Sequence, residues 1–202
     1  MRLGWVVTLL ATVGACSSDA ASGAAGAGDA TARQAPRSRV AFELVLGDGT
    51  VWAEATPKGD GYALSAGGAD RGKLKIEADR VKVSDASGAT RAKAKAKDYG
   101  FKIYEGDETE VATAKRKGAG YKLSRNDTPL GELDTHGPGG QLGGEEITVV
   151  VGAERMVVKR AGKDVGAVGG GIRPEAAAFL GVTELTFEQR VAGMLFVEEL
   201  AR

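Results

Sequence analysis

The side chains able to do covalent or acid–base chemistry are few. The 202 residues contain one Cys and one His. A lone imidazole acts as a general base only beside a nucleophile and an orienting carboxylate. His136 sits in a Gly/Pro-rich stretch, THGPGG, that reads as a solvent-exposed loop. One Cys and one His exclude an internal disulfide and a zinc site with the usual ligands, so no metal and no other cofactor is expected. Glu145-Glu146 and Glu198-Glu199 are adjacent pairs. Neighbouring side chains diverge on a strand or a helix, which makes solvated charges of them rather than an acid/base couple. The segment 166–171 (GAVGGG) lacks both the GxGxxG spacing and the Lys-Ser/Thr of a phosphate loop, and reads as an unconstrained link. Asn126-Asp127-Thr128 forms a sequon of a kind that arises often by chance. No catalytic residue is expected, and the protein reads as a non-enzyme.

Cys16 has a more specific setting. Arg2 gives a short positive start, Trp5 to Val13 (WVVTLLATV) is almost continuously apolar, and Gly14 and Ala15 are small. This is the form of a secretory signal. The apolar run is far below the roughly 20 residues of a spanning helix. Val13-Gly14-Ala15-Cys16 resembles the lipobox of bacterial lipoproteins. The resemblance implies cleavage before Cys16, a diacylglycerol on its sulfur and acylation (palmitate or a similar chain) of its new amino group. Two or three chains on one residue give stable anchoring where one is marginal. Ser17, rather than Asp, resembles the outer-membrane class. Residues 17–38 (SSDAASGAAGAGDATARQAPRS) carry no apolar face and cannot offset their ordering entropy. They are expected to be a disordered tether, about 25 Å in mean span if they behave as a coil.

Charge is balanced overall, 27 Lys plus Arg against 27 Asp plus Glu, which argues against a surface built for nucleic acid. Its distribution is uneven. Residues 71–125 carry 15 basic and 8 acidic side chains; residues 126–202 carry 7 and 12. Lys82, Lys102 and Lys122 recur 20 apart, as do Lys95 with Lys115 and Lys97 with Lys117. If the elements bearing them stack in register, they form rows of ammonium groups on one outer wall. Such rows suit anionic lipid or an acidic envelope protein. The same lysines could simply keep strands soluble, and Glu105, Asp107, Glu108 and Glu110 lie among them.

The elements that must position these lysines follow from a repeat. Phe42, Tyr62, Val81, Phe101 and Tyr121 are spaced by 20, 19, 20 and 20, and each is followed two residues later by an aliphatic. A turn-former or small residue follows at the sixth place: Gly47, Gly67, Ala86, Gly106, Asn126. Gly61, Gly100 and Gly120 precede three of the five. A sixth copy begins at Ile147 after a Gly-rich insertion, THGPGGQLGG. Apolar residues two apart face one side of a strand, and Gly or Asn supplies the left-handed turn of a hairpin. Arg91 to Lys97 (RAKAKAK) puts Ala92, Ala94 and Ala96 on one face and three lysines on the other. Six hairpins predict about twelve antiparallel strands.

The last segment is helical in pattern. Pro174 suits a first turn, Gly181 interrupts, and Thr186 with Gln189 matches a capping box that starts a helix near Phe187. Val191 to Val197 (VAGMLFV) is apolar without a break, so that helix must be enclosed on most sides. About twelve strands closed into a barrel leave more room than their own side chains fill. Hairpin period and helix placement resemble the tubby, phospholipid-scramblase and LURP-one-related group. That resemblance implies a β-barrel closed around a hydrophobic C-terminal helix; a sheet packed on the helix is the alternative. The domains are then a signal peptide (1–15), lipidated Cys16 with its tether (16–38), a hairpin domain (39–172) and a helical segment (173–202) of that same domain. The expected role is a lipid-anchored, non-catalytic binding or structural module of the bacterial cell envelope, at the outer membrane. The alternative is a lipocalin-like carrier of an apolar ligand, which needs a vacant interior.

Overall fold

The computed structural model describes residues 39–134 and 139–201. The expected signal peptide, Cys16, the expected tether and His136 lie outside the described residues. Fourteen strands alternate in direction: β1 (Phe42–Leu46), β2 (Val51–Lys58), β3 (Gly61–Ala66), β4 (Ala69–Ile76), β5 (Arg80–Ser84), β6 (Thr90–Lys97) and β7 (Gly100–Glu105). They continue as β8 (Thr109–Lys117), β9 (Gly120–Arg125), β10 (Thr128–Asp134), β11 (Gly139–Leu142), β12 (Glu145–Val151), β13 (Arg155–Arg160) and β14 (Lys163–Gly169). Each pairs antiparallel with its sequence neighbours, and β1 pairs with β14, so the sheet closes into a barrel.

The six hairpins of the repeat are present. The two additional strands are β11, within the Gly-rich insertion, and β14, which contains the start of GAVGGG. That glycine run is therefore a correction: Leu44 pairs with Val168 and Leu46 with Gly166, so it is part of the closing strand and no free link. The helical segment lies against its inner face, where a Cβ at Gly166 would be in ordinary contact with the Leu180 side chain at 3.5 Å; at Gly170, with φ 78°, a Cβ would overlap the Ala41 carbonyl oxygen at 2.5 Å.

Turn chemistry matches at Gly67, Gly106 and Asn126, all with positive φ. Asn126-Asp127 and Gly67-Gly68 are two-residue turns with both φ values positive, the twist that suits a tight hairpin. At the first and third repeats the left-handed residue falls two places later, at Gly49 and Gly88. The glycine before each aromatic has a different reason. A Cβ at Gly61, Gly100 or Gly120 would overlap the carbonyl oxygen of Leu74, Ala114 or Leu133 at 1.8, 2.1 or 2.2 Å. Six of the hairpins carry a one-residue register shift, for example at Val83/Ser84 and Ile103/Tyr104. Such bulges bend a strand and raise its twist, which curls the wall toward closure.

Inward residues alternate by strand. β3, β7 and β9 supply Tyr62, Phe101 and Tyr121, whereas β2, β6 and β8 supply alanines at 53, 55, 92, 94, 112 and 114. The C-terminal segment fills the space so left. It comprises α1 (Pro174–Ala177), a 3₁₀ turn (Ala178–Gly181) and α2 (Phe187–Glu199). Thr186 Oγ1 accepts from the Gln189 amide at 3.3 Å, and Gln189 Oε1 accepts from the Thr186 amide at 3.0 Å, so the capping box is formed. α2 packs on β5, β6 and β7, most extensively on the alanine strand β6; the 3₁₀ turn packs on β12, β13 and β14. In a ring of fourteen, β6 and β13 are opposite each other. The segment thus bridges the two walls and occupies the interior. Phe101 stacks on Phe196 at 4.4 Å and meets Phe179 at 5.5 Å between ring centroids.

Polar groups latch the plug at both ends. The turns inside the pairs β1–β2, β3–β4 and so on form one rim, here termed distal. The turns between pairs form the other, termed basal, where Arg39 enters and Arg39 Nη1 donates to the Gly59 carbonyl at 3.2 Å. At the distal rim Arg160 donates to both Glu184 oxygens at 2.7 Å, to Glu145 at 2.7 Å and to Thr183 Oγ1 at 2.6 Å. At the basal rim Arg173 holds Glu198, and Tyr62 Oη donates to Glu199 at 3.4 Å.

Candidate lysine-bearing outer wall

The outward lysines of β5 to β9 lie where the sequence alternation puts them, opposite the buried alanines. Their rows differ from the simple stacking expected. Cross-strand pairing sets Lys75 beside Lys82 and Lys82 beside Lys93 in a first level. Arg80 lies beside Lys95 and Lys95 beside Lys102 in a second. Lys97 pairs with Gly100, Gly100 with Lys115 and Lys115 with Lys122 in a third, nearest the basal rim. Lys82, Lys102 and Lys122 therefore stand one to a level, in a staircase. A closed barrel needs tilted strands and a staggered register, so residues at equal places in successive hairpins step along its axis. Lys117 falls beyond the third level, opposite Gly120.

The levels differ in how far acids neutralise them. In the first, Lys82 Nζ is 2.9 Å from Asp107, and Lys75 is 3.0 Å from Glu77. Lys93, only 8 % exposed although on the outer face, donates to the Asp107 carbonyl and lies 4.5 Å over the Tyr104 ring. Burial pushes its ammonium below the usual lysine range. In the second level Lys102 is 2.6 Å from Glu110 and Lys95 is 3.9 Å from Asp79. Hydrogen bonds from Lys82 and Thr90 hold the Asp107 carboxyl below its ordinary value. For Glu110, burial pushes the other way but Lys102 and Thr113 outweigh it. Exposed pairs of this kind stabilise by about 0–1 kcal/mol, and they satisfy the lysines they hold.

The third level is different. Lys97, Lys115 and Lys122 are exposed, and among the described residues none makes an ion pair within 4.0 Å; Glu132, directly across from Lys122 on β10, pairs with Lys117 instead. Gly100, between Lys97 and Lys115, contributes no side chain, so the three ammonium-bearing chains follow one another along the wall. Arg116, exposed on β8, is likewise without an ion pair among the described residues. Like charges directly opposite on a sheet repel, so Lys115 beside Lys122 is a local cost. Lys117 at the same rim is 2.6 Å from Glu132. Lys115 Nζ lies 5.7 Å over the Tyr99 ring, a neutral partner that leaves its charge available. The repeating lysine rows of the sequence include neither Tyr99 nor Arg116, and Lys93 only as an outward residue of RAKAKAK; the KDYG turn is the signal that marks Tyr99, an aromatic where its sister turns carry Asp or Ala.

Elsewhere the acid pairs are separated by the fold. Glu145 faces Arg160, Glu198 faces Arg173 and Glu199 faces Tyr62. No group of three or more metal-ligating side chains is found among the described residues, and no helix among them is long and apolar enough to cross a membrane. A groove of about 650 Å³ borders the wall on its β10–β11 side, lined by Lys117, Pro129, Glu132 and Gln141 among others. No protein-family model, curated protein or solved structure matches the chain.

Proposed function

We propose that the protein is a cell-envelope lipoprotein of the outer membrane, anchored through acylated Cys16. Its barrel is a non-catalytic binding module that meets anionic headgroups through the outer wall of β6 to β9. One observation carries the proposal: Lys97, Lys115 and Lys122 form a contiguous level in which none makes an ion pair within 4.0 Å among the described residues, although Glu110, Asp107 and Asp79 pair with the levels beside it. Selection for solubility alone would favour interspersed pairs, as in the other two levels. The carrier alternative needs a vacant interior, and α2 with the 3₁₀ turn occupies it.

The experiment uses the mature chain, residues 16–202, with Cys16→Ser so that no acyl chain contributes. Co-sedimentation with phosphatidylglycerol-containing vesicles should exceed that with phosphatidylcholine alone and fall as salt rises. Each lysine near such a surface contributes about 1 kcal/mol, so replacing Lys97, Lys115 and Lys122 by Ser should weaken binding about 100-fold. Replacing Lys82, Lys95 and Lys102 should change it far less. Equal binding to both vesicle types, or equal effects of the two triple replacements, would discard the proposal. Labelling with a palmitate analogue in cells tests the anchor: incorporation that persists in the Cys16→Ser full chain would refute it.

A further inference from the structure

The exposed apolar residues of the barrel are distributed unevenly between its two rims. Among the described residues five large apolar side chains are exposed: Val40 at 58 %, Val51 at 37 %, Tyr99 at 42 %, Val150 at 48 % and Val151 at 63 %. Strand direction assigns four of them to the basal rim. Val40 precedes β1, Tyr99 is in the β6–β7 turn, and Val150 and Val151 end β12. Only Val51, at the start of β2, lies at the distal rim. Cations without an ion pair among the described residues lie near the basal rim too, Lys97 and Arg116 at the ends of β6 and β8 and Lys122 near the start of β9, while Arg71 and Lys163, also without one, lie toward the distal rim. Turn carboxylates do not distinguish the rims: Asp48, Asp85, Asp107, Glu108 and Asp127 are distal, and Asp60, Glu77, Asp79, Asp98 and Glu154 are basal.

From these positions we infer that the barrel seats end-on, with its basal rim against an anionic bilayer and its axis across the membrane plane. The inference rests on the anionic-surface proposal above and adds the orientation and the apolar contacts. Side-on seating on the lysine wall would leave Val150 and Val151 in water, because β12 lies across the ring from β6. End-on seating brings both sides down together, across a ring about 25–30 Å wide for fourteen strands. Valine and tyrosine at headgroup depth bury apolar surface, and Tyr keeps its hydroxyl wet. Tyr99 with Lys115 over its ring joins both kinds of contact in one place. Connectivity agrees, since the chain leading back to Cys16 leaves the barrel at Arg39, on this rim. Asp60, Glu77, Asp79, Asp98 and Glu154 share the rim turns, Glu77 and Asp79 being paired with Lys75 and Arg80. Glu198 is held by Arg173 and is recessed in the opening, 11 % exposed at its side chain. The exposed carboxylates would be the groups opposing attachment, and the apolar residues give a contact that salt does not screen.

The test places an environment-sensitive dye at one introduced cysteine at a time in the 16–202 Cys16→Ser chain. Positions are Tyr99→Cys and Val151→Cys at the basal rim, Thr113→Cys on the wall and Glu108→Cys at the distal rim. With phosphatidylglycerol vesicles, emission should rise several-fold and shift to the blue at 99 and 151 and stay unchanged at 113 and 108. Replacing Tyr99, Val150 and Val151 by Ser should weaken vesicle binding about tenfold, an effect that persists at high salt. A response at 113 but not 151 means side-on seating and overturns this inference while leaving the anionic-surface proposal intact. A response at 108 reverses the orientation and also overturns it. Binding that no dye reports, or no vesicle binding at all, removes the inference, and the latter removes the proposal beneath it.

Discussion

Gly193→Ala tests whether the plug is as tightly enclosed as its position implies. Gly193 lies in the middle of α2, and a Cβ there would come within 2.5 Å of two ring carbons of Phe179. The ring has little room to retreat. Phe101 stands behind it at 5.5 Å between centroids and is itself stacked on Phe196 at 4.4 Å. In an open helix the same change would stabilise by about 1 kcal/mol. Here the overlap with carbon is about 1 Å relative to an optimal contact, which puts the overpacking cost toward the upper part of its range, about 3 kcal/mol. The expected balance is a loss of about 2 kcal/mol, or roughly 4–8 °C in melting temperature for a domain of this size. Phe179→Leu removes the obstructing ring edge at its own cost. In that background Gly193→Ala should become neutral or stabilising, giving a coupling of about 2–3 kcal/mol in the double-mutant cycle. Urea and thermal unfolding of the 16–202 Cys16→Ser chain supply the measurements. A Gly193→Ala protein more stable than its parent would show a loose interior, and would restore the room that a carried ligand needs.

Three further outcomes are expected. Deleting residues 184–202 removes α2 from against β5–β7 and should abolish the cooperative unfolding transition; a truncated chain with a sharp thermal melt would refute the plug's role as core. Arg160→Met breaks the distal latch, and because it strands Glu184 partly buried it should cost about 3 kcal/mol. Arg160 holds the Glu184 carboxyl below its ordinary value of 4.5, so the latch is at full strength above that pH and fades as pH falls through the depressed value. Unfolding at pH 7 and pH 3 should therefore show the two proteins converging in acid, and a pH-independent gap would contradict the assignment. Burial, assisted by Glu199, pushes the Tyr62 hydroxyl up to about 12. The neutral ring is then favoured in the fold, a contribution complete below pH 10 and lost as pH rises toward 12. Tyr62→Phe should lose less stability across that window than the parent, and parallel alkaline unfolding curves would reject the point.

The amino-acid sequence alone determined what depends on neighbours in the chain. Alternation with period two set which residues of each strand face inward, so Ala92 and Ala94 are buried and Lys95 and Lys97 are outward. The capping box set the start of α2, and the unbroken apolar run from Val191 required enclosure. Tertiary structure decided what depends on closing a ring. The strands β11 and β14 form because the sheet must complete its circuit with β14 against β1, a pairing across the length of the domain that no local pattern announces. The separation of Lys82, Lys102 and Lys122 into three levels is also a closure effect, because stagger accumulates around a tilted barrel. Whether a lysine on that wall is neutralised depends on which carboxylate reaches it: Asp107 reaches Lys82, Glu110 reaches Lys102, and Lys97, Lys115 and Lys122 make no ion pair among the described residues. Val150 and Val151, at the end of β12, are exposed. Their meaning comes from strand direction, which puts them on the rim that also holds Tyr99, Lys97, Arg116 and the start of the chain's path toward Cys16.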